Sequence, residues 1–107
     1  MIVTVFRSTL MPGLREEYVR EVDRLAAIAK TMPGYISHKG FFAEDGERCT
    51  IVEFENEESL RGWAMNADHR AAKKKARETY YASYSVQICD VKREAKFDRN
   101  AKDRAAE

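Results

Sequence analysis

Between Glu53 and Tyr84 the chain concentrates the side chains able to do chemistry on a small molecule. This stretch holds the single tryptophan, Trp63, one of two histidines, His69, a basic run of Lys73, Lys74, Lys75 and Arg77, and the tyrosines Tyr80, Tyr81 and Tyr84. An indole offers a planar wall on which a flat ligand stacks. An imidazole exchanges protons near neutral pH. His69 follows Asn66, a helix-capping residue, and so falls about three positions into the helix that Asn66 opens. The positive end of that helix favours the neutral ring. A neutral imidazole can accept a proton from a phenol, the step that makes an electron-rich carbanion. In a structural role the same His makes a cap or interhelical hydrogen bond, and Trp63 pins a helix to a sheet. No Asp or Ser at a telling position completes a triad.

Other candidates lie outside this stretch. Arg7, in the first strand, shares a face with Val3 and Val5. An inward arginine needs a partner, which Glu53 or Glu55 on a neighbouring strand would supply. Its alternative use is to anchor a substrate carboxylate or enolate. Strict alternation puts Tyr80 and Tyr84 on one strand face and Tyr81 on the other, where a pocket tyrosine would hydrogen-bond a phenol or quinone oxygen. His38, on an edge strand, reads as structural or exposed. The basic run reads as a solvated helix face.

The elements that must position these groups follow from hydrophobic period and turn chemistry. Residues 2–9 are β-branched and aromatic and form a strand, with Ile2, Thr4, Phe6 and Ser8 on one face. Met11-Pro12-Gly13 ends it. Residues 14–30 form an amphipathic helix with Leu14, Tyr18, Val22, Leu25 and Ala29 inward. Glu16 and Arg20 are spaced as an i,i+4 pair. Met32-Pro33-Gly34 closes the helix. Residues 35–43 and 48–55 are two strands joined by a hairpin at Asp45-Gly46. Thr50, Val52 and Phe54 share a face. Asn56 caps a short helix carrying Leu60, Trp63 and Ala64. A second helix runs from Ala67 to about Glu78, and residues 79–92 form the last strand. The order β-α-β-β-α-β predicts an α+β, ferredoxin-like antiparallel sheet with the helices on one face. Residues 95–107 read as a charged tail.

The bulk properties narrow the classes. The chain has 107 residues, 44% hydrophobic, with 19 basic and 18 acidic residues giving a net charge of +1. That balance predicts no nucleic-acid partner. No apolar run approaches the ~20 residues of a membrane span, and the N-terminus reads as a strand rather than a leader. Cys49 and Cys89 stand alone, without metal-ligand spacing, and read as reduced, buried thiols in a cytoplasmic protein. The two His and two Cys have no ligand spacing, so no metal is expected, and without a glycine-rich phosphate loop neither is a nucleotide or flavin cofactor. A chain this short buries only about 65% of its unfolded surface, so a homodimer covering the second sheet face is expected.

Taken together, the strand IVTVFRS, the turn MPGY, the hairpin AEDGE and the segments TIVEFENEESLRGW and ADHRAAKKKARETYYASYSVQICDVKRE resemble the antibiotic-biosynthesis-monooxygenase superfamily over residues 1–94. The resemblance implies a dimeric α+β barrel, two subunits packed sheet to sheet, each with a small pocket between sheet and helices. Some members of that superfamily are cofactor-free monooxygenases acting on phenols or quinols, and others degrade haem. The haem-degrading pattern has an Asn on the first strand, where this chain has Phe6. Trp63 matches its Trp, but its iron-ligand position falls at Lys73, with His69 one turn too early. Haem turnover is therefore not expected. The resulting expectation is a monooxygenase-like pocket for a small aromatic ligand, with His69 as the base. Trp63, Phe6, Val52, Phe54, Arg7 and Tyr81 would be the binding residues. A non-catalytic small-ligand-binding or stress-associated dimer is the alternative.

Overall fold

The structure, a computed structural model, describes residues 1–100. Its elements are β1 (Ile2–Leu10), α1 (Arg15–Ala29), β2 (Tyr35–Phe42), β3 (Arg48–Phe54), α2 (Glu57–Ala64), α3 (Ala67–Thr79) and β4 (Tyr81–Asp90). The strands form one antiparallel sheet in the order β2-β3-β1-β4. This is the ferredoxin-like arrangement predicted from the element order. Residues 91–98 form no helix or strand, and the last part of the expected tail, 101–107, lies outside the described residues. Among the described residues no helix is long and apolar enough to cross a membrane.

Local chemistry accounts for the boundaries. Asn56 caps α2 by accepting from the Ser59 amide at 2.8 Å, and Ser59 closes a reciprocal capping box. Asn66 caps α3 by accepting from the His69 amide at 3.1 Å. Gly34, at φ 81°, ends the α1–β2 turn. A Cβ on Gly34 would also collide with the side chain of Ser59, so both the backbone and the space demand glycine. On α1 the ion pair that forms is Arg24 with Glu21, at 2.7 Å, one turn beyond the expected Glu16 and Arg20.

One sheet face carries Ile2, Thr4, Phe6 and Ser8 of β1 opposite Phe54, Val52, Thr50 and Arg48 of β3. The helices pack there in two small cores. Ala29, Val52, Phe54 and Trp63 form one, with Leu25, Ile28, Met32, Tyr35 and Leu60 around it. Tyr18, Ala76 and Tyr80 form the other, with Leu10, Leu14, Val22 and Tyr81. The opposite face, with Val3, Val5, Cys49 and Ile51, carries no helix, and β4 is exposed from Ala82 onward, so Cys49 is only half-buried and Cys89 exposed where both were expected buried.

Candidate active site

The two cores leave a cavity of about 610 Å³ between sheet and helices. That volume suits a drug-sized small molecule. Its floor comes from Thr4 and Phe6 of β1, His38 of β2 and Thr50 and Val52 of β3. Trp63 and His69 close one side, and Tyr18, Tyr80, Tyr81 and Tyr84 line another part.

The Trp63 and His69 rings are stacked, with centroids 4.2 Å apart and planes inclined by 10°. The link between α2 and α3 enforces this. Asn66 holds the His69 amide, while His69 Nδ1 lies 3.1 Å from the Trp63 carbonyl oxygen. A carbonyl only accepts, so Nδ1 carries the proton and Nε2 holds the free lone pair. Burial pushes the His69 pKa down to about 4, against the opposing pull of the Trp63 carbonyl. The ring is neutral at any ordinary pH, and the cause is burial rather than the helix start.

Across the cavity Phe6 stacks on Tyr84, with centroids 5.3 Å apart, and tilts against Tyr81 at 5.4 Å. The Tyr81 hydroxyl lies 3.0 Å from that of Tyr18, and burial raises its pKa, so it remains a phenol. Strict alternation had placed Tyr81 opposite Tyr84. The β1–β4 register instead pairs Thr9 with Ser83 and Leu10 with Tyr81, leaving Ala82 as a bulge. One extra residue returns Tyr81 to the face of Tyr84. Tyr80 leaves the strand altogether, becoming the C-cap of α3 with its ring buried.

Of the residues singled out from the sequence, the fold brings Trp63, His69, Phe6, Val52 and Tyr81 together around the cavity. Phe54 does not line it. It is fully buried, edge-on to Tyr35 in the core beneath α1. Arg7 lies on the helix-free face, exposed, and binds Glu47 at 2.8 Å rather than Glu53 or Glu55. The register explains this: Arg7 opposes Cys49, so Glu47 is its diagonal neighbour, while Glu53 opposes Val3 and accepts from the Ser37 hydroxyl.

Several polar cavity residues were not singled out as site residues, among them Thr4, Thr50, His38 and Tyr80. Thr4 and Thr50 were legible, since alternation put them beside Phe6 and Val52. Their hydroxyls are buried and have no partner among the described residues, as is also true of Tyr80. His38 had been placed at an exposed or structural edge position. It lines the cavity opposite Val52, and burial lowers its pKa. An irregularity between Tyr35 and Ser37 sets that orientation, and strand period alone does not reveal it.

An aromatic cavity open to solvent on one side agrees with the comparisons. The model of the antibiotic biosynthesis monooxygenase family matches residues 1–75, well over half of the chain. The chain belongs to that family. The uncharacterized protein YqjZ of Bacillus subtilis is 28% identical over 86 residues, covering 80% of this chain and 75% of YqjZ. Among solved structures, Rv0793 of Mycobacterium tuberculosis superposes with a TM-score of 0.80 at 14% identity, covering 89% of this chain and 98% of that one. SnoaB, a cofactor-independent oxygenase from Streptomyces nogalater, superposes with a TM-score of 0.77 at 16% identity, covering 87% and 94%. At such identities the structural matches speak for the fold alone.

Proposed function

We propose that this family member is a cofactor-independent monooxygenase acting on a small aromatic phenol or quinol, and that it works as a cytoplasmic homodimer. The observation that carries the reading is the stacked Trp63–His69 pair at the wall of an aromatic cavity, with Nδ1–H committed to a carbonyl and Nε2 free to accept. A flat phenol held between Trp63 and the Phe6 cluster would hand its proton to Nε2. The resulting anion carries carbanion character at the ring carbon that reacts with O₂. The new C–O bond forms as O₂ is reduced to a peroxide. The O–O bond then breaks, leaving one oxygen on the oxidised substrate carbon and the other as water. The substrate supplies all the electrons, so the step needs no other reductant.

One observation favours the second reading, a non-catalytic ligand-binding or stress-associated dimer. A base with a pKa near 4 is weak against an ordinary phenol. A forming phenolate beside His69 opposes this, because an adjacent anion stabilises the imidazolium. Oxygen uptake with a panel of hydroquinones and anthrones separates the readings. Turnover that falls at least tenfold in His69→Gln supports the monooxygenase. Absence of turnover across the panel, or turnover indifferent to that substitution, refutes it.

The homodimer rests on the uncovered sheet. Val3, Val5 and Ile51 line its helix-free face, and β4 leaves an unpaired edge. Phe41, opposite Cys49 on the same face, is 48% exposed. A second copy covering these groups is what a chain of this size needs.

A further inference from the structure

At the start of α1 lies a shallow recess apart from the aromatic cavity, lined by Arg15, Glu16, Val19, Arg20, Phe42 and Arg48. Three arginines against one glutamate leave it net positive. Arg48 is its buried member. Only 7% of the residue is exposed, and no ion pair or hydrogen bond to its guanidinium occurs among the described residues. Its Nε is shut off without a partner, whereas its Nη atoms are not fully enclosed. Arg48 lines this recess and not the cavity, so the guanidinium opens here. Burying an unpaired guanidinium is unfavourable, so its retention calls for an explanation. The group is also firmly placed. A Cβ on Gly40 would overlap Nη2 and Cζ of Arg48, so the guanidinium lies over a residue of β2 that leaves it room.

The rest of the recess has the same bias. Arg15 is the first residue of α1, where the positive end of the helix dipole opposes a cation. Its Cζ lies 3.7 Å from the centre of the Phe42 ring, and that of Arg48 lies 4.8 Å from the same ring. One aromatic side chain therefore gathers two guanidiniums without neutralising either. Leu14, the N-cap, makes no side-chain hydrogen bond, so no cap side chain covers the first amides of α1. Arg20 is spaced to pair with Glu16, yet it forms no ion pair among the described residues. A single anion bound between α1 and Arg48 would offset all of these costs.

We infer that this recess is an anion site separate from the aromatic cavity, that it takes the phosphate of a small soluble phosphomonoester, and that Arg48 and Arg15 hold that phosphate. A phosphomonoester is close to a dianion above pH 7, which suits paired guanidiniums better than a carboxylate does. Val19 and Phe42 give the organic part apolar surface to lie on. Nothing in this assignment depends on the chemistry of the aromatic cavity.

The test is calorimetric binding of phenyl phosphate, inorganic phosphate and benzoate at pH 7.5 and low salt. Phenyl phosphate should bind at least about tenfold more tightly than benzoate, as the stronger charge-assisted contact implies. Arg48→Met should weaken it at least about tenfold, while the urea midpoint of the free protein stays the same or rises, because a buried unpaired charge is removed. Glu16→Gln, on the exposed side of the recess, should tighten binding, and serves if Arg48→Met does not fold. His38, whose pKa the Arg48 charge helps to lower, should titrate higher with phenyl phosphate bound, which locates the anion at Arg48. Equal affinity for inorganic phosphate would assign the recess to the free ion and overturn the ester. Absence of phosphate binding, or binding indifferent to both substitutions with His38 unmoved, overturns the site.

Discussion

His69 lies flat on Trp63, 4.2 Å between centroids, while its Nδ1–H is tied to the carbonyl of that same tryptophan. One residue thus sets the plane, tautomer and burial of the other. Trp63→Ala should remove the stack and open the core of Ala29, Val52 and Phe54, destabilising the fold by about 3–5 kcal/mol. Trp63→Phe should cost less and leave His69 more hydrated. Urea denaturation reads the first effect. An NMR titration of His69 reads the second, as a pKa moved upward from about 4.

The same burial makes stability depend on pH. The folded pKa of about 4 lies below the ordinary value of about 6.5, so between these the unfolded chain binds more protons. The contribution of His69 is complete above about pH 6.5 and is lost as pH falls through about 4. Its size is on the order of 2 kcal/mol once solvent screening is allowed for. Urea midpoints measured from pH 7 to pH 4 should therefore fall more steeply for the native protein than for His69→Gln. Parallel curves would show that the imidazole is solvated.

Asn66 joins helix start and imidazole, because the amide it caps belongs to His69. Asn66→Ala should cost about 1 kcal/mol, measured by thermal or urea unfolding. Asn66→Asp keeps the acceptor and suits the helix dipole, so stability should be largely retained. The new carboxylate should also raise the His69 pKa, which the same NMR titration checks.

The uncovered sheet face predicts association. Ile51→Asp, on the face opposite the cavity, should shift the protein from dimer to monomer in sedimentation at micromolar concentration, with the helical signal in circular dichroism unchanged. A native protein that sediments as a monomer would rule out the homodimer.

Much of this fold follows from local chemistry. Asn56 and Asn66 as caps, the Met-Pro-Gly and Asp-Gly turns and the helical stripe from Leu14 to Ala29 each act within a few residues. They determined the elements and their order, and hence the family's sheet. The face carrying Thr4, Phe6, Thr50 and Val52 was legible for the same reason, since β period is local. What only the tertiary structure decided depends on which strand residue opposes which. The bulge at Ala82 turned Tyr81 into the cavity, and the irregularity before Ser37 turned His38 inward. The offset of β3 against β1 gave Arg7 to Glu47, and the missing side chain of Gly40 let Arg48 lie down beneath the helices. A single-residue shift in register reverses a side chain's face, and that register is set by partners distant in sequence, such as Thr9 with Ser83 or Arg7 with Glu47, so no local pattern along the chain records it.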